Sequence, residues 1–401
     1  MDSKFFIKEK FQNFYQKDFT LNETAIREIE KREFAFNLFE GWMLRHKSFK
    51  NVKNLKTFIS STVPLDVYFS CAYYVNPEEE MDNKDWMGAD LIFDIDADHI
   101  PTPCKKIHDT WICESCGFTG RGITPEKCPI CNSEKFSTST WPCEECLLSA
   151  KEETIKLLDI LTQDFGLSET EIRTFFSGHR GYHVHIESET VKSLDATSRK
   201  EIVDYVTCQG FDLKLDSNSF KTYGSGNKWT QRINNELINF IQKATEDDLK
   251  DLGLKENIVR NIIKNKDALM RNLSFGAYEG VRGIGVKTLS RLIEHVTKSC
   301  SVKIDTVVTT DIHRLIRFPE TLHGKTGLKK VEFSPSQIDT FDPLERALAF
   351  REEDEITIFI SDAPKFRLGD SIYGPYRNKK ATLPISVAIL LICKGKAEVA
   401  K

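Results

Sequence analysis

A chain of 401 residues has room for two or three domains and a large core. Its composition, 40% hydrophobic and 29% charged, is that of a globular protein and excludes disorder as the dominant state. The formal charge of −4 carries no sign of the basic footprint usual in nucleic-acid-binding proteins.

The opening MDSKFFIKEKF has no apolar signal core, which points to a soluble chain in a reducing compartment. Residues 4–50 are expected to be helical. FFIKEKFQNFYQ spaces aromatics three and four apart, and Asn22-Glu23-Thr24 starts a second helix through IREIEKREFAFNLF. VYFSCAYYV reads as a strand, NPEEEMDNKDWMG as a polar connection, and ADLIFDIDADHI as a second strand. After a cysteine block at 104–146, KEETIKLLDILTQDF is an amphipathic helix, and IRTFFSGHRGYHVHI is strand, glycine turn, strand. Residues 225–298 look like a helical insertion, and strands return with VKIDTVV and ITIFI. The apolar run Leu383–Cys393 contains Pro384 and is too short to span a bilayer. Strands broken by helical segments, without a βαβ repeat, predict an α+β fold with mixed sheets flanked by helices. The expected segments are 1–103, a metal-binding insertion at 104–146, 147–224, a helical subdomain at 225–298, and 299–401.

Chemistry concentrates in three places. In DLIFDIDAD a period of two puts Asp94 and Asp96 on one face, about 7 Å apart along the strand. Such a pair repels unless a cation sits there, and Mg²⁺ suits carboxylate oxygens; a polar edge strand is the competing reading. Asp305 in VKIDTVV offers a third carboxylate from an apolar strand. In SGHRGYHVH, two glycines permit a tight turn, while Ser177, His179, Arg180, His183 and His185 supply donors suited to a triphosphate. His183 and His185 share a strand face, so zinc is the alternative there. A second basic stretch carries Arg314, Arg317, His323, Lys325, Lys329 and Lys330.

Seven of the eleven cysteines lie between Cys104 and Cys146, which favours metal over disulfides. The knuckles Cys113/Cys116 and Cys128/Cys131 form a Cys₄ ribbon for one structural Zn²⁺. Cys104, His108, Cys143 and Cys146 flank it and could close a Cys₃His site for another. Cys71, Cys208, Cys300 and Cys393 read as core fillers.

D-x-D at Asp94 and Asp96, S-G-x-R-G-x-H-x-H at 177–185, and Asp305 followed by Leu-Ile-Arg-x-Pro and His-x-Lys-Thr-Gly together resemble the catalytic small subunit of archaeo-eukaryotic DNA primase. The resemblance runs from Arg32-Glu33-Phe34 to about Lys330. It implies a primase-type α/β core with a zinc knuckle and a variable helical subdomain. It also implies Asp94, Asp96 and Asp305 as ligands for two Mg²⁺ or Mn²⁺ ions. Ser177, Arg180, His183, Arg317 and His323, with Lys325, would be triphosphate contacts. Glu33 and Arg45 would face the nucleotide, and Cys104, His108, Cys143 and Cys146 would be the zinc knuckle. His179 departs from the family, where many members have a second Arg, and the Cys₄ ribbon is an insertion. The activity implied is template-directed synthesis of short RNA or DNA primers from NTPs or dNTPs on single-stranded DNA. The partner implied is a large subunit with an iron–sulfur cluster. The setting would be the cytoplasm of an archaeon, or the nucleus of a eukaryote, with no membrane.

Two rivals remain at this level: a related polymerase that extends ends or fills gaps, and a zinc-ribbon nucleic-acid-binding protein without catalysis. Within 279–294, EGVRGIGVKTLSRLIE resembles a helix–hairpin–helix turn whose amides could meet a DNA phosphate; a plain interhelical loop is the other reading. The net charge also hides segregation. Residues 76–100 hold nine acids and one Lys, whereas 221–330 hold 20 Lys plus Arg against 12 acids.

Overall fold

The computed structural model describes residues 2–210, 228–274, 284–351 and 354–400. Two compact units make up the chain: Met1–Leu158 with Leu167–Glu201 and Lys303–Lys401, and Asp159–Gly166 with Ile202–Val302.

The first unit is α+β. Its two principal sheets draw on β1 (Phe34–Asn37), β2 (Met43–Lys47), β3 (Asp66–Ser70), β4 (Leu91–Asp96), β5 (Ile172–Phe176), β6 (Gly181–Ile186), β7 (Leu315–Arg317) and β8 (Val331–Phe333). One sheet has the order β7-β3-β1-β2 and the other β8-β5-β6-β4, with every pairing antiparallel. In β4 the alternation holds from Phe93 onward: Phe93 and Ile95 are buried, while Asp94 and Asp96 keep partial access to solvent. A third sheet joins Glu355–Ala363, Tyr376–Pro384 and Ala397–Val399.

Helices of this unit include α1 (Ser3–Asn13), α2 (Thr306–Thr310) and α3 (Ile385–Cys393). Helix α1 is capped by Asp2, whose carboxylate accepts from Lys4 N at 3.1 Å, and it buries Phe6, Ile7 and Phe11. These join Phe34, Phe36, Phe318 and Ile389 in one aromatic-rich core. Helix α3 is the apolar run after Pro384. Among the described residues, no helix is long and apolar enough to cross a membrane.

Three local expectations are corrected. The helix through IREIEKREFAFNLF is instead two 3₁₀ turns, Glu23–Ala25 and Ile29–Lys31, followed by β1. Glu28 lies at φ 47°, which breaks helical continuity, and β1 pairs on both edges, so tertiary pairing overrides the aromatic spacing. VKIDTVV is no strand: Asp305 caps α2, its carboxylate accepting from Val307 N at 3.0 Å and Val308 N at 3.4 Å. The polar connection at 76–88 also hides a strand, Trp86–Ala89, paired with Ala72–Tyr74.

The second unit is helical among its described residues, with Lys228–Lys243, Glu246–Asp251, Glu256–Lys264, Lys266–Ser274 and Val286–Cys300. Trp229, Ile233, Leu237, Val259, Leu269, Leu289 and Leu292 form its interior. Of the glycine-containing turn at 279–294, residues 279–283 lie outside the described residues, as do 221–224 at the expected segment boundary.

Candidate active site

The register of the second sheet sets Asp94 opposite His183 and Asp96 opposite Gly181. His183 Nε2 lies 3.6 Å from Asp94 Oδ1. Only glycine fits at 181, because a Cβ there would come within 2.4 Å of Ile95 O. The third carboxylate arrives along the backbone: Asp305 N donates to Asp94 O at 2.8 Å. Burial, then the charges of Asp96 and Asp305, push the Asp94 carboxyl up to about 7. Burial also raises Asp96, against the pull of Arg180. Carboxylates that resist ionisation beside one another fit a hard divalent cation, which would relieve both the repulsion and the desolvation.

The glycine turn is built as a cradle. Ser177 Oγ accepts from His179 N at 3.3 Å and Gly181 N at 3.2 Å, tying the turn closed. Gly178 has φ +86° and lies against the His323 side chain, while its carbonyl accepts from Thr326 Oγ1 at 2.6 Å. This contact seats the HGKTG loop on the turn, and the His179 and His323 rings are 5.3 Å apart. Burial, followed by surrounding cations, lowers the pKa of His179, His183 and His323 well below the usual imidazole value, so all three are neutral at pH 7. Lys325 N donates to His323 Nδ1 at 3.1 Å, which leaves Nε2–H of that ring as a donor.

The two arginines expected at phosphate are deeply held. Arg180, 1% exposed, gives Nη1 to both oxygens of Asp109 at 2.8 and 3.0 Å and Nη2 to Asp98. Arg317 pairs with Asp66 and sits 3.3 Å from the Tyr68 hydroxyl. Glu33 and Arg45 form their own pair at 3.0 Å, and Glu33 also faces the buried Lys84. Among the described residues, neither Glu33 nor Arg45 shares a hydrogen bond with the three aspartates or the glycine turn. His185 points inward against Phe175, with ring centroids 4.6 Å apart.

Both cysteine sets converge. The ligand atoms of Cys104, His108, Cys143 and Cys146 lie within 4.8 Å of one another, as do those of Cys113, Cys116, Cys128 and Cys131. Sulfur separations of 3.5–3.6 Å in both sets are far beyond a disulfide and close to the about 3.8 Å edge of a tetrahedral Zn–S site. The residues therefore fit Zn²⁺. His108 Nδ1 lies 2.7 Å from Asp109 Oδ1, the carboxylate–histidine arrangement that orients a zinc ligand. All eleven cysteines are free; Cys71 is buried, whereas Cys208, Cys300 and Cys393 are only partly so.

Sequence reasoning missed Asp109, which joins Arg180 to the knuckle; its position next to His108 was the available signal. Lys330, one of the cations of the second basic stretch, is fully buried, with Nζ 2.8 Å from Arg317 O and 4.4 Å from the Phe175 ring centroid. Lys394, 2.9 Å from His179, carried no signal at all.

Residues 137–335 match the family model for the DNA primase small subunit. A DNA primase small subunit from Archaeoglobus fulgidus is 34% identical over 405 residues, covering 99% of each chain. Its counterpart from Nitrosopumilus maritimus is 30% identical, covering 98% of each. The chain belongs to the DNA primase small subunit family. A third relative, from Thermoplasma volcanium, is 34% identical and covers 92% of this chain and 91% of its own. The likeness to primase small subunits thus covers nearly the whole chain.

Proposed function

We propose that this primase subunit starts nucleic-acid chains de novo, joining nucleotides on a single-stranded DNA template. The observation that carries the reading is the pairing of Asp94 with His183 across one sheet, with the HGKTG loop seated on the adjoining glycine turn. Metal-seeking carboxylates and anion-seeking donors thereby face one another. Asp94, Asp96 and Asp305 would hold two Mg²⁺ or Mn²⁺ ions, which when bound supply activation of a 3′-hydroxyl and charge relief at the departing pyrophosphate. Ser177 holds the turn so that the neutral imidazoles of His183 and His323 orient the triphosphate. Lys325 is exposed beside His323 and would meet phosphate directly, while Arg180 and Arg317 act from behind, fixing the turn and the loop. Glu33 and Arg45 would shape the nucleotide side of the first sheet. Zn²⁺ in the Cys₃His knuckle and in the Cys₄ ribbon would be structural, since four protein ligands leave no open position. A large subunit completes the enzyme, and the absence of a spanning helix among the described residues accords with a cytoplasmic site of action.

The test is dinucleotide formation from labelled NTPs or dNTPs on an unprimed single-stranded circle with Mn²⁺. Asp94→Ala and Asp96→Ala should each abolish it while zinc content and the far-UV spectrum stay at parental values. Synthesis by either variant would defeat the assignment. Activity only on a primed template would instead identify an extending polymerase.

A further inference from the structure

Helix α3 is apolar on every face, with Val387, Ala388, Ile389, Leu390 and Leu391 buried, yet its next residue is Lys394. Lys394 N closes the last turn on Leu390 O at 3.0 Å, so the side chain leaves from the negative end of the helix dipole, which favours a cation. Its ammonium reaches the glycine turn and lies 2.9 Å from His179 Nε2. Thr140 Oγ1 lies 3.4 Å from the same nitrogen. Among the described residues, Lys394 has no carboxylate partner, in contrast with Arg180 and Arg317, whose charges are met by Asp98, Asp109 and Asp66. Burial, then the charges of Arg180 and Lys325, lower the Lys394 ammonium to about 7, with Asp109 opposing them weakly. A partly buried ammonium among cations, unmatched by any acid, is a position completed by an anion from outside.

We propose that Lys394, delivered by the C-terminal helix, is a contact for the triphosphate of the incoming nucleotide, with His179 as its positioning residue. The inference rests on the reading of this site as one for a nucleoside triphosphate. His179 is buried and neutral, so its Nε2 accepts from Lys394 and holds the ammonium against the turn that Ser177 and Gly178 shape. Bound polyphosphate would return Lys394 to full charge, and the interaction would scale with the number of phosphates. A residue 215 positions beyond the turn thereby joins the binding site to the end of the fold.

The test is calorimetric binding of a nonhydrolysable ATP analogue and of AMP, with Mn²⁺, to the full chain. Lys394→Met should weaken the triphosphate by at least about tenfold and leave AMP nearly unchanged, since one charge-assisted contact is lost. Lys394→Arg should restore most of the loss, and the KM for nucleotide should move with kcat nearly constant. Parental affinity in Lys394→Met would overturn the inference, and so would equal loss of both ligands or no rescue by Arg in a folded variant. If the parent chain bound neither ligand, the reading of the site itself would fall. A parent that binds both, beside an unaltered Lys394→Met, would defeat Lys394 alone.

Discussion

Asp109→Ala tests whether the zinc knuckle and the glycine turn form one electrostatic unit. Asp109 is 4% exposed and accepts from three sides: Arg180 Nη1 at 2.8 and 3.0 Å, His108 Nδ1 at 2.7 Å, and Trp141 N at 3.2 Å. Removing it leaves the buried Arg180 guanidinium with Asp98, which is 40% exposed, and with Asp96 at 3.9 Å. Taking one partner from a buried ion pair costs about 3–5 kcal/mol, because the other charge stays desolvated. The orphaned Trp141 N–H lies in the same network, so its loss overlaps with this figure rather than adding to it. The knuckle should loosen as well, by about 10–100-fold in zinc affinity, the usual effect of deleting the carboxylate behind a histidine ligand. Urea unfolding and zinc release to a chromogenic chelator measure the two effects. The Arg180→Ala and Asp109→Ala double-mutant cycle should show coupling above about 1 kcal/mol. A variant within about 0.5 kcal/mol of the parent, with unchanged zinc release, would refute the linkage.

Two further outcomes are expected. In the metal-free chain, the Asp94 carboxyl titrates at about 7 when folded and near 4 when unfolded, so the folded state holds the extra proton. Stability from this group therefore falls as pH rises from about 4 to about 7, by on the order of a few kcal/mol. Thermal scans between pH 5 and 7 should show that slope in the parent, its loss in Asp94→Asn, and its offset by Mn²⁺; parallel profiles in parent and variant would count against a strained carboxylate. For the ribbon, Cys116→Ser with Cys131→Ser should reduce bound zinc from two ions per chain to one by elemental analysis, leaving the far-UV spectrum intact, and retention of both ions would refute the Cys₄ site.

What could be read in advance was whatever depends on neighbours in sequence. The period of two placed Asp94 and Asp96 on one face of β4, and the cysteine spacing drew both ligand sets together. The glycine turn was legible because Gly178 and Gly181 meet steric demands set within the turn and by the adjacent strand. Where the deciding partner lies far along the chain, local reading failed. REFAF has helical spacing, but pairing with β2 and β3 makes it a strand. Asp305 looks like a strand residue among β-branched neighbours, yet two backbone amides make it a helix cap. The ion pair that holds Arg180 could not be read locally either, since Asp109 lies 71 residues before it.

The charge balance follows the same division. A total of −4 carried no sign of a nucleic-acid-binding footprint, while the segregated acids and bases set a basic segment at 221–330 against an acidic one at 76–100. Within the basic segment Arg317 is matched to Asp66 and Lys329 to Glu320 at 2.8 Å. Three buried guanidinium groups, planar and able to fork onto a carboxylate, are matched internally: Arg180 to Asp98 and Asp109, Arg317 to Asp66, Arg32 to Asp90. They fix strands and turns in place and are already neutralised. Lysines and neutral imidazoles stand without acids at Lys325, Lys394 and His323 among the described residues, so a phosphate arriving there would meet donors that no carboxylate has neutralised. The cost of binding is then lower, since no ion pair has to break before phosphate can enter. Counting basic residues thus overstates the cations left without an acid and understates the scaffold.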